Sequence, residues 1–352
     1  MKNLPTHKSL LFLLLLILAA ACEEEIILDR DLTAPKIVVN SFIEPDSLIT
    51  VKLFRDIPIN SSVISTEIPN ATVILYEDGI KKEQLKMVLN IYEQPTYVNP
   101  GEFTTDTLYT YVSETTRAAF GIRYTLEVSR PGFETVSTET TIPKPVEVVS
   151  IDTFSVLKKE QWWTGMDYHF KLRFKDPAED TNYYRIIIQQ KRGSLPYHSD
   201  SADSLNIYIN GNMGSSYFNS EDPIFSFETE DANNYIFGSS WNEYGVFSDE
   251  LINGKEYELN FYQSDGYSDE YEFRPDKGEF KEYTILLQSI TYDMFLYLKS
   301  IDLQSYNDNM PFTEPVPIYN NVENGLGIFG SYSSASISIM YGEYPMEGVT
   351  YQ

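Results

Sequence analysis

The sequence predicts a mainly β protein, organised as two β-sandwich domains with one helix near the C-terminus. Three observations carry that expectation. Short runs of alternating apolar and polar residues recur along the chain, separated by turn signals built on Pro, Gly and Asp. The 27 Tyr, 20 Phe and 3 Trp supply side chains that suit half-buried strands. Only residues 291–305 carry a convincing helical pattern instead.

In chain order, residues 1–21 read as a lipoprotein signal peptide. Lys2 and Lys8 precede an unbroken apolar run from Leu10 to Ala21. That run is 12 residues long, whereas a membrane-crossing helix needs about 20. Ala19-Ala20-Ala21-Cys22 follows the small-small-Cys pattern of a bacterial lipobox, with Ala at the first position where Leu is commoner. Cys22, the only cysteine, is therefore the predicted lipidation site, carrying palmitate-type acyl chains on the mature N-terminus. Two or more such chains hold a protein stably on a membrane, each buried methylene contributing roughly 0.8 kcal/mol. The alternative, ordinary cleavage near Ala21, leaves an unpaired thiol at a secreted N-terminus, which is a chemical liability.

Residues 22–35 form an acidic tether that begins Glu23-Glu24-Glu25. It reads either as a solvated spacer or as an export signal to the cell surface. The first β-sandwich is expected over residues 36–142. Ile37–Ile43 and Leu48–Phe54 flank a Pro45-Asp46 turn as a hairpin, and residues 55–69 form a polar loop. Ala71–Tyr76 alternates into the Asp78-Gly79 turn signal. Further strands are expected at Thr107–Val112, at Tyr124–Val128, and at Glu134–Ile142 beyond the Pro131-Gly132 turn. The closing stretch, residues 121–143, resembles the last hairpin of immunoglobulin-like or transthyretin-like modules.

Pro143-Lys144-Pro145 interrupts the pattern and marks the expected domain boundary, because proline cannot donate to a strand ladder. The C-terminal β domain then covers residues 146–352. Val146–Asp152, Met166–Phe174, Asn182–Ile188, Tyr235–Phe237, Tyr257–Tyr262 and Tyr283–Gln288 read as strands. The succession through Asp176-Pro177 into Tyr183-Tyr184 resembles fibronectin-type sandwiches. Residues 193–222 form a long polar stretch interrupted by Leu205–Ile209, and a loop of that length is either mobile or functional. In the helix over 291–305, Thr291 and Asp293 suit the start, and Tyr292, Phe295, Leu296, Lys299 and Leu303 form the expected packing face.

Charge and composition exclude several functions. The net charge is −26, and removal of residues 1–21 takes away two lysines and no acids. Nucleic acid is therefore not expected as a partner, and membrane attachment must rest on lipid rather than on a basic patch. With Cys22 acylated, no disulfide and no cysteine metal site remain, and the mature chain beyond residue 21 keeps only His169 and His198, which rules out a three-histidine zinc site.

No cofactor is expected. Residues 325–330, Gly-Leu-Gly-Ile-Phe-Gly, match G-x-G-x-x-G, but they follow an Asn-rich turn and run into strand composition at Ser331–Met340, where a dinucleotide site needs a helix. The glycines are expected to permit a bulge or a close strand approach. No nucleophile elbow, H-E-x-x-H or P-loop occurs, and no catalytic residue is assigned. His169, mid-strand, reads as a packed or edge histidine. His198, beside Ser199 and Asp200, is explained by loop composition. Asp200, Asp203, Glu221 and Asp222 are read as solvated loop acids, with calcium ligation left undecided. Trp162-Trp163 with Tyr168, and Trp241 with Tyr244, are aromatic pieces that either stack on a sugar or peptide or fill the core.

Together these residues resemble a family of outer-membrane lipoproteins of Bacteroidota, domain of unknown function 4249. The features carrying the resemblance are the lipobox at Cys22, Pro35–Asn40, Asn70–Val73, Tyr124–Leu126, Ile142-Pro143, Asp176-Pro177 with Tyr183-Tyr184, and Asn320–Gly330. Members are typically encoded beside TonB-dependent receptors. The resemblance thus implies a non-enzymatic, surface-exposed lipoprotein of the outer membrane that binds small-molecule, glycan or peptide cargo for such a receptor. A surface glycan or peptide hydrolase and an adhesive or structural surface protein are the alternatives.

Overall fold

The computed structural model describes residues 34–57, 66–95, 103–159, 164–194, 206–210, 218–225, 242–264, 279–308 and 316–342. Cys22, the tether up to residue 33, Trp162, Trp163, the strand expected at Tyr235–Phe237, His198, Asp200, Asp203 and Trp241 lie outside the described residues. No described helix is long and apolar enough to cross a membrane.

The protein is mainly β. Its strands are β1 (Ile37–Ile43), β2 (Leu48–Arg55), β3 (Thr72–Glu77), β4 (Ile80–Gln84), β5 (Lys86–Pro95), β6 (Phe103–Arg117), β7 (Arg123–Ser129) and β8 (Val136–Thr141). There follow β9 (Glu147–Lys159), β10 (Thr164–Lys175), β11 (Tyr183–Ser194), β12 (Asn206–Asn210), β13 (Val246–Ser248), β14 (Glu256–Ser264), β15 (Phe280–Ile290) and β16 (Leu326–Tyr341), with one α-helix among the described residues, α1 (Tyr292–Asp308), between the last two. The helix expected over 291–305 is thus present, three residues longer at its C-terminal end.

These strands make three sheets. The largest runs β12-β11-β15-β16-β1-β2-β6-β5, with β13 added on β11; the others are β14-β10-β9 and β4-β3-β7-β8. Alternation is sharp in β1, buried at Ile37, Val39, Ser41 and Ile43, and in β7, buried at Tyr124, Leu126 and Val128. Such strands bury one face and solvate the other. One core gathers Val39, Val51, Leu53, Leu75, Leu126 and Val136 with Val322 and Phe329 from near the C-terminus. A second gathers Phe170, Leu172, Phe174, Tyr184, Leu259 and Leu287, with Ile337 and Ile339 packed against it. Pro143-Lys144-Pro145 lies between β8 and β9, on the chain's passage from the first core to the second.

β16 is common to both. Its first six residues pair parallel with β1, from Val38↔Leu326 to Ile43↔Ser331. The next ten pair antiparallel with β15, from Ile290↔Tyr332 to Lys281↔Tyr341. The glycine motif makes the parallel half possible, and it lies in strand rather than at a helix start. Gly327 has φ +101°, and a Cβ there would stand 2.0 Å from the Val39 carbonyl oxygen. Side chains fasten the same strand to β8: the Ser331 hydroxyl lies 2.9 Å from that of Thr140 and donates to the Thr141 carbonyl at 3.0 Å.

Helix α1 packs over Val246, Ile290 and Tyr332. Its buried face is Met294, Phe295, Leu298 and Asp302, while Tyr292 is exposed, so of the expected stripe only Phe295 is fully buried. The expectation began the stripe at the first aromatic residue; the observed one follows the i, i+4 pair Met294–Leu298 and continues into an acid. Asp302 is 1% exposed, and its Oδ1 has no hydrogen-bond partner among the described residues. Burial pushes its carboxyl up to about 7, against the amide of Tyr244 and the field of Arg185.

Two expectations follow. Gly327→Ala forces a contact no Cβ tolerates and should cost several kcal/mol or abolish folding, whereas Gly79→Ala, also at positive φ but with nothing within 4 Å, should cost about 1 kcal/mol; thermal melts of the two variants check this. For Asp302 the folded pKa lies above the unfolded one, so the native state holds a proton that the unfolded chain has released. Its contribution to stability is present below the unfolded value near 4 and is lost as pH rises to about 7. The melting temperature of Asp302→Asn minus that of the parent should therefore increase between about pH 4.5 and 7.5 and then level off.

Candidate functional site

The sheet β14-β10-β9 presents a groove on the face turned away from the second core. Tyr168, Phe170, Leu172 and Phe174 of β10 point into that core, so the intervening Asp167, His169, Lys171 and Arg173 point outward. Register extends this alternation across three strands. Asp167 stands between Val156 and Ser264, His169 between Phe154 and Tyr262, Lys171 between Asp152 and Asn260, and Arg173 between Ser150 and Glu258.

Two of these rows are electrostatically closed. The Asp167 carboxylate pairs with Lys158 at 2.5 Å and accepts from Ser264 Oγ at 2.7 Å. Burial acts to raise its pKa, but these partners outweigh burial and hold it below the usual carboxylate range. Arg173 pairs with Asp152 at 3.1 Å and Glu258 at 3.3 Å.

The middle rows form the groove. It encloses about 210 Å³ and is lined by Phe154, His169, Lys171, Asn260, Tyr262 and the Ser220-Glu221 segment, among others. His169 is sandwiched: its ring lies 4.6 Å from Phe154 at 5° and 4.9 Å from Tyr262 at 27°. Lys171 Nζ stands 5.9 Å from the Phe154 ring centre.

The Ser220-Glu221 wall is built deliberately. Asn219 exchanges two 2.8 Å backbone bonds with Tyr262, which lays this segment along β14. Ser220 Oγ donates to the Asn260 carbonyl at 2.6 Å. Asp222 then accepts from Tyr257 OH at 2.6 Å, Asn260 N at 3.2 Å and Ile224 N at 3.2 Å. It is therefore a buried structural carboxylate rather than the solvated acid expected from loop composition, whereas Glu221 is exposed. Among the described residues no group of three or more His, Cys, Asp and Glu side chains could hold a metal ion.

The remaining sequence candidates fall elsewhere. Tyr168 is a core residue whose hydroxyl accepts from the buried Lys281 at 3.0 Å, so it presents no stacking surface. Tyr244 packs beside α1, its carbonyl accepting from Arg185 at 3.1 Å. Asp176 receives Tyr184 OH at 2.5 Å and Gly254 N at 2.7 Å, so the Asp176-Pro177 and Tyr183-Tyr184 pairs serve the fold. Sequence reading singled out His169 but missed Phe154, Lys171 and Tyr262 as its neighbours. The available signal was the outward register of β10, which becomes useful only once both flanking strands are aligned to it.

If Asp222 holds the groove wall, Asp222→Ala should destabilise the protein by about 2–3 kcal/mol, because it strands a tyrosine hydroxyl and two amides. Phe154→Ala, at a 46% exposed position, should cost less than about 1 kcal/mol; urea denaturation compares the two.

A family model described as "Domain of unknown function (DUF4249)" matches residues 23–338. No curated protein and no solved structure matches the chain. Because the match spans both cores, the groove and most of the strand they share, the chain belongs to the DUF4249 family.

Proposed function

We propose that this protein is a lipid-anchored lipoprotein of the outer membrane, exposed at the cell surface, that binds cargo without transforming it and serves a TonB-dependent receptor. The observation that carries the reading is the groove over β14-β10-β9, where the His169 ring edge and the Lys171 ammonium have no hydrogen-bonding or carboxylate partner among the described residues. The sequence context of Cys22 supports the anchor, and the acidic residues after it support display at the surface. The strong negative charge is compatible with solubility on a crowded surface and unsuited to nucleic acid.

The test uses the full chain in its native envelope. Detergent-solubilised outer membranes should yield this protein together with a β-barrel receptor; recovery without one overturns the accessory role. A Cys22→Ser variant should leave the membrane fraction, and equally firm association would overturn the anchor.

A further inference from the structure

We infer that the groove takes a small anionic ligand, whose carboxylate or phosphate oxygens lie against Lys171 and His169 while its hydrogen-bond donors face Glu221. This rests on the cargo-binding reading above and specifies its chemistry.

The argument begins with charge. Two cations on this face of the sheet are matched by acid: Lys158 is held by Asp167, and Arg173 by both Asp152 and Glu258. Lys171 stands between them. Its register partner Asp152 is engaged by Arg173, and no carboxylate lies within ion-pair distance of Lys171 among the described residues. The groove thus holds a cation whose natural counter-ion has been drawn off into the next row.

His169 narrows the ligand further. Phe154 and Tyr262 cover its two faces, so only its ring edge is available to a ligand. Its nitrogens make no hydrogen bond among the described residues. A sugar stacking on the imidazole is excluded, because both of its faces are spent on Phe154 and Tyr262. An N–H edge beside an ammonium instead suits oxygen anions. Glu221, on the β14 side, accepts from hydroxyl or amine groups and disfavours a ligand that is anionic throughout. The volume of about 210 Å³, below the roughly 300–1,000 Å³ of drug-sized pockets, accommodates a single ring or residue.

A uronic acid, a sugar phosphate and an amino acid derivative share this chemistry, and calorimetry separates them. The purified protein is titrated at pH 7 with galacturonate, glucose 6-phosphate and an N-acetyl amino acid, each beside its neutral counterpart (galactose, glucose and the N-acetyl amino amide). At least one acid should bind about tenfold or more tightly than its counterpart, and added salt should weaken it. Lys171→Gln and, separately, His169→Gln should each reduce that affinity about tenfold with the melting temperature unchanged. Lys175→Gln, two rows along the same face, should leave it within about twofold. Equal binding of acid and neutral forms, an undiminished Lys171→Gln, or no binding of any acid at about 10 mM overturns the assignment. In that event, continued co-purification of Lys171→Gln with a receptor leaves the accessory role standing.

Discussion

The structure depends on the docking of its last strand against its first. β16 lies parallel to β1 for six residues and then antiparallel to β15 for ten, so one continuous backbone belongs to the sheet over each core. Parallel neighbours distant in sequence gain nothing from a tight turn and must be held by packing and by a favourable approach. Here the approach is set by Gly327, whose missing Cβ lets the strand come against the Val39 carbonyl. Asn321 reinforces it from the side: its amide oxygen receives Phe329 N and its amide nitrogen donates to the Phe329 carbonyl, both at 3.0 Å. The side chain thereby acts as a short additional strand where the backbone has none to offer.

A second theme is the use of tyrosine as a strut. Tyr111 is buried, donates to the Ile68 carbonyl at 2.7 Å and accepts from Ala71 N at 2.9 Å, which fixes the loop before β3 to the main sheet. Tyr124 accepts from Ala119 N, Tyr184 donates to Asp176, and Tyr257 donates to Asp222. Each ring fills core volume while its hydroxyl satisfies a polar group that burial would otherwise leave costly. Without a structural disulfide expected, such ties hold long loops against the sheets at many points. Much of the aromatic content of the described residues is thereby accounted for by architecture.

What the sequence disclosed and what it withheld follow from the range of the forces involved. Local patterns were readable: Ile37–Ile43 was found with its ends correct, Asp78-Gly79 turns between β3 and β4 with both residues at positive φ, and the helix begins beside Thr291. β4 and β5 were not seen, because Ile80–Gln84 is solvated on both faces and carries no alternation, and Lys86–Pro95 depends on pairing with β6. The glycine motif was rightly assigned to close strand approach, yet its partner β1 could not be named, since nothing local encodes a contact across almost the whole chain. The groove was hidden for the same reason. His169 was visible as a lone histidine in an alternating strand; Phe154 and Tyr262 became its neighbours only through two registers set by the full sheet.

The sharing of β16 also bears on how the chain matures. Val322 and Phe329 complete the core of the N-terminal half, so that half remains unsealed until β16 is available. A chain synthesised from its N-terminus would therefore hold its earliest strands exposed, and closure would come late, as a long-range event of the slow kind. An open sheet edge during that interval invites aggregation. A chain cut before β16 would keep that core open to proteases, so the strand separates a closed fold from an open one.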